Sequence, residues 1–108
     1  TVVPGATRTY NVHQVTGSWV ESSITWNNQP AVAASPTASA ATPAAPGCMS
    51  WTVTADVQAW VDGTANNGWR VGDSVEGSST KYITKFRSRE NIAVPSEQPD
   101  LQVNYAPP

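Results

Sequence analysis

The sequence predicts an all-β domain, a jelly-roll-like β-sandwich with one short helix, on three observations. Thr, Ser, Val, Ala, Asn, Gly and Pro dominate while Lys and Glu are few, a bias towards strands and turns. Short runs alternate apolar and polar residues with the period of two that half-buried strands require. Gly, Pro and Asn turns separate roughly seven such runs, the spacing of a sandwich or jelly roll.

The first run is Arg8 to Val15, where Tyr10 and Val12 alternate with Asn11 and His13. Ser18 to Glu21 and Ile24 to Trp26 read as short extended pieces, stopped by the turn formers Asn27-Asn28-Gln29-Pro30. Residues 31 to 47 are almost wholly Ala, Pro, Ser and Thr, with neither large apolar side chains nor periodicity, and are expected to form a long surface loop. Ser50 to Val53 resumes extended structure. Thr54 is then expected to cap a helix over Ala55 to Val61, with Val57, Trp60 and Val61 as its apolar stripe and Gly63 at its exit.

Asn66-Asn67-Gly68 reads as a turn, Trp69 and Val71 as a strand, and Glu76-Gly77-Ser78-Ser79 as a hairpin tip. The return strand, Lys81 to Arg89, directs Tyr82 and Phe86 inward and Lys81, Lys85, Arg87 and Arg89 outward. Asp100 to Tyr105 repeats the pattern with Leu101, Val103 and Tyr105 inward.

Composition also excludes functions. A chain of 108 residues holds one domain at most, with a modest core. A net charge of −2 with 13% charged residues argues against the basic field that nucleic acid requires. No apolar run has the length of a membrane span. Nor does a charged segment followed by an apolar stretch open the chain, so it reads as processed or as an interior piece of something longer. The single Cys48 closes no internal disulfide and is expected to be a small, at least half-buried thiol.

Three landmarks occur in order: Trp19-Val20-Glu21 leading to Ile24-Thr25-Trp26-Asn27-Asn28-Gln29-Pro30; Thr52 to Val57 with Trp60 and Asn66-Asn67-Gly68; and Phe86-Arg87-Ser88-Arg89-Glu90 closing with Pro99 to Tyr105. Together they resemble the DNRLRE-type domain, which includes alginate-binding carbohydrate modules and is similar to disaggregatase-related repeats of microbial surface proteins. The resemblance implies an accessory domain of secreted bacterial enzymes or cell-surface proteins. It covers about the C-terminal two thirds of such a domain, so another chain or an N-terminal fragment is expected to complete the sandwich. It also points to an ion pair between Glu21 and Arg89.

Flat aromatics stack on pyranose rings, and five tryptophans are many for this length. Trp51 and Trp60 lie on apolar faces, Trp26 precedes a turn that folds it inward, and Trp19 belongs to a structural landmark; these are expected in the core. Trp69, between a turn and Arg70, has the best claim to exposure. The outward cations Lys81, Lys85 and Arg87 suit an acidic polysaccharide, because Arg grips carboxylates bidentately and Lys adds a point charge; the bland alternative is a solvated face. Trp69, Lys81, Lys85 and Arg87 are therefore the candidate ligand-binding residues. His13 stands alone at the surface. Asp56, Asp62 and Asp73 are the acids available to calcium, yet they match no ligand loop, and no other cofactor is expected. No nucleophile elbow, phosphate loop or zinc helix occurs, so the domain reads as non-catalytic. The expected role is a carbohydrate-binding accessory module, with a structural or adhesive surface domain acting through protein contacts as the alternative.

Overall fold

The structure, a computed structural model, describes residues 2–4, 7–75, 84–90 and 93–107. Its regular elements are β1 (Val2–Pro4), β2 (Thr9–Gln14), β3 (Ala38–Ala41), α1 (Thr54–Val61), β4 (Trp69–Asp73), β5 (Thr84–Phe86) and a 3-10 turn, Pro95–Glu97. The architecture is all-β with one short helix. Among the described residues all strand pairs are antiparallel, β2 lying between β3 and β4 in one sheet and β1 pairing with β5 in another.

The alternation from Arg8 to Val15 produces the central strand β2. Val12 lies opposite both Ala38 and Val71 and is buried. Val15, bridged to Val32, is buried on the opposite face of the strand. Tyr10 shares the Val12 face and meets the Phe86 ring edge-on at a centroid distance of 5.1 Å, a contact that joins the two sheets.

The Ala/Pro/Ser/Thr stretch contributes a strand where a loop over 31–47 was expected. β3 forms because sheet hydrogen bonds come from the backbone, which small residues supply as well as large ones. Besides its ladder, Ala33 N–H donates to Gln14 O at 2.8 Å, Thr37 N–H to Val12 O at 2.8 Å and Thr42 N–H to Arg8 O at 2.8 Å. The buried Thr42 also receives Arg8 N–H on its hydroxyl at 3.0 Å.

Helix α1 starts one residue earlier than expected. Val53 holds the capping position without a side-chain cap, so Thr54 is the first helical residue. Its inward face is also rotated: Val61 is exposed, whereas Asp56, Val57 and Trp60 are half-buried. The exit follows expectation, with Gly63 at φ 114° and the paired bonds Thr64 N–H to Ala59 O, 2.9 Å, and Gly63 N–H to Trp60 O, 3.2 Å, that close a helix through a left-handed residue.

Other expectations fail for want of partners. Residues 18–26 form no strand, only a turn at 21–23 and the start of another at 26–28, residues 50–53 make no ladder, and Leu101, Val103 and Tyr105 are exposed in a segment that no described strand pairs with. Alternation prepares a strand, but only a neighbouring edge makes one. The expected hairpin between β4 and the Lys81–Arg89 run is likewise not the observed pairing: β4 borders β2 and β5 borders β1. The proposed tip at 76–79, together with Lys81, Tyr82 and Ile83, lies outside the described residues.

Candidate functional site

Tertiary folding gathers three of the five tryptophans around one open cleft of about 280 Å³. Val15, Pro30 and Val32 belong to its lining, where the start of the Ala/Pro stretch meets the end of β2. Trp19, Ile24 and Trp26 come from the turns that follow, and Trp69 and Arg70 from the start of β4.

The turn carrying Trp26 is built by Asn28. Its side-chain oxygen receives Thr25 N–H, its amide donates to Ser23 O at 2.8 Å, and its own N–H donates to the Thr25 hydroxyl at 3.3 Å. Such side-chain mimicry of backbone bonds holds the turn's shape. Gln29 donates to Trp26 O at 3.0 Å. With its backbone held, Trp26 presents its ring to solvent, 73% exposed, which reverses the expectation that the turn folds it inward.

Trp19 is fixed differently. Its indole N–H donates to Asn67 O at 2.7 Å, and its ring lies over Gly68, whose φ of 79° is the left-handed backbone this turn requires. Trp69 has the opposite balance: half-buried, it meets the Trp60 ring at 4.5 Å and donates its N–H to Asp56 Oδ2 at 2.7 Å. Asp56 also accepts the Thr37 hydroxyl at 2.5 Å. This carboxylate therefore ties α1 to β4 and to the strand entry before β3.

The candidate ligand residues separate in space. Trp69 lines the cleft; Lys85 and Arg87 do not. Lys85 is exposed on β5, and Arg87 Nε contacts Glu97 Oε2 at 3.1 Å. Lys81 lies outside the described residues. The anticipated pair of Arg89 and Glu21 is present at 2.7 Å, with Arg89 also meeting Glu90 at 3.0 Å. His13 is half-buried, its Nδ1 2.9 Å from Ala33 O, and Cys48 is exposed where a buried or half-buried thiol was expected.

The three acids considered for calcium are engaged apart from one another: Asp56 by Trp69 and Thr37, Asp62 by the Gln58 amide at 3.0 Å, and Asp73 by Arg8 at 2.7 Å and the Val75 N–H. Among the described residues, no group of three or more His, Cys, Asp or Glu is placed to hold a metal ion. No helix among them is long and apolar enough to cross a membrane.

Aromatic rings at an open cleft offer the flat apolar surface on which sugar rings stack. The model for carbohydrate-binding module family 96 matches residues 2–105. The chain belongs to carbohydrate-binding module family 96. No curated protein and no solved structure matches it. In this family 96 module the cleft brings Trp69, a ligand candidate from the sequence, together with Trp26, Ile24 and Arg70, which the sequence did not single out. The available signal was the Asn-rich turn after Trp26, which marks a loop held by its own side chains.

Proposed function

We propose that this module is a non-catalytic anchor that holds a secreted or cell-surface protein on an acidic polysaccharide, with the tryptophan cleft as its binding face. The observation that carries the reading is the convergence of Trp19, Trp26 and Trp69 on one open cleft in a carbohydrate-binding module. A sugar ring offers an apolar C–H face to an indole and directs its hydroxyls to the rim. Lys85, exposed on β5, adds salt-sensitive attraction for an anionic chain, and Arg87 supplements it when it leaves Glu97. The jelly-roll topology is part of the same proposal, supported by the Tyr10–Phe86 contact between the two sheets.

Affinity electrophoresis in gels cast with alginate, or with neutral glycans, tests the reading. Retardation in alginate that disappears in Trp26→Ala and weakens in Lys85→Ala or Arg87→Ala is the expected result. Unretarded migration in every gel would instead favour a surface domain working through protein contacts.

A further inference from the structure

We propose that Arg70 is the specificity-determining residue of the cleft, reading the carboxylate of a uronic acid whose ring lies on the tryptophans. The inference rests on the glycan reading above and assigns its selectivity to a cation other than Lys85 and Arg87.

Arg70 has no carboxylate partner among the described residues, whereas Arg8, Arg87 and Arg89 each have one. Its Nε is sealed from solvent with no hydrogen-bond acceptor. Among the described residues its one side-chain hydrogen bond runs from Nη1 to Oε1 of Gln29 at a long 3.4 Å. A guanidinium carries five N–H donors; with Nε–H sealed and one Nη1 N–H on Gln29, the remaining Nη N–H groups are the ones left for a ligand.

The cleft around it is mostly apolar, with Trp26, Ile24 and Val32 beside the polar Thr25 and Gln29. In such surroundings a cation without an anion is costly, and an arriving carboxylate supplies both the charge and two parallel hydrogen bonds. Gln29 fixes the spacing, because its amide bonds the Trp26 carbonyl through nitrogen and Arg70 through oxygen. The stacking ring and the cation are thereby held on one frame. At about 280 Å³ the cleft lies at the small end of ligand sites, which suits one sugar residue of a longer chain.

Titration calorimetry with polymannuronate, the same polymer after carboxyl reduction, and a sulfated galactan tests the assignment. Wild type is expected to bind the polyuronate roughly 10- to 100-fold more tightly than its reduced form. Arg70→Gln should remove that ratio while keeping the weaker affinity for the reduced polymer; Arg70→Lys, which keeps charge but loses the fork, should fall between, and also serves if Arg70→Gln does not fold. Equal affinity of wild type for both polymers overturns the role of Arg70 and the preference for an acidic chain while leaving glycan binding at the cleft intact. A ratio preserved in Arg70→Gln, or tighter Arg70-dependent binding of the sulfated galactan, overturns it too. Wild type that binds none of the three refutes both.

Discussion

Arg8 grips Asp73 with two parallel bonds, Nε to Oδ2 at 2.8 Å and Nη2 to Oδ1 at 2.7 Å, across the end of β2 and β4. The same guanidinium reaches Val75 O at 3.1 Å, and Val75 N–H returns to Asp73 Oδ1 at 2.9 Å. The two side chains are only 16% and 22% exposed, so this bidentate pair is partly shielded from water.

That geometry makes stability depend on acid. The Arg8 bonds hold the Asp73 carboxyl below its ordinary value of 3.8, helped by the Val75 N–H. The unfolded chain therefore binds the proton more readily, and stability rises with pH through this window. The contribution is complete above the unfolded value and is lost as pH falls through the lower folded one. Asp73→Asn should be less stable by about 1–3 kcal/mol near neutrality, a gap that closes in acid. Urea unfolding of both proteins across the acid range reads it; a gap that stays constant would contradict the argument.

Trp60 and Trp26 should respond oppositely to truncation. Trp60 packs against Trp69 at 4.5 Å, so Trp60→Ala is expected to destabilise by on the order of 2–3 kcal/mol. Trp26→Ala removes a ring already in water and should leave the melting temperature almost unchanged while abolishing glycan retention. Thermal melts beside affinity gels give both readouts.

Glu21 and Arg89 meet at 2.7 Å, but their side chains are 65% and 70% exposed. Water screens such a pair and two long side chains must be ordered to make it. Glu21→Ala should accordingly change stability by less than about 0.5 kcal/mol. A larger loss on chemical denaturation would mean that the pair holds the Trp19 turn against the C-terminal segment.

Gly68 stands at φ 79°, ahead of Trp69 and beneath the Trp19 ring. Space exists for a methyl group, since the added carbon would sit 3.8 Å from the ring, so the cost of Gly68→Ala is conformational. About 1–2 kcal/mol is expected. Fluorescence of the tryptophans should stay native-like below the transition, and a loss of only a few tenths of that energy would argue against the left-handed turn.

Several features were legible in the residues alone. The alternation around Tyr10 and Val12 determined a half-buried strand, Gly63 determined where the helix ends, and the paucity of long helical patterns determined the all-β class. These are local: periodicity and glycine conformation act within a few residues of chain. Tertiary structure decided everything that needed a partner. Ala38–Ala41 became a strand because the edge of β2 was available, whereas Leu101 to Tyr105, with the better pattern, had no described edge to join. Asp56 turned inward because the Trp69 indole and the Thr37 hydroxyl converge on it. The cleft belongs to the same class, since Trp19 and Trp26 come from one part of the chain and Trp69 and Arg70 from another, and no spacing between the two encodes a shared surface. Hydrogen-bond saturation and burial are settled between segments, so a one-dimensional pattern states what each piece can do and the packed molecule selects which of those capacities is used.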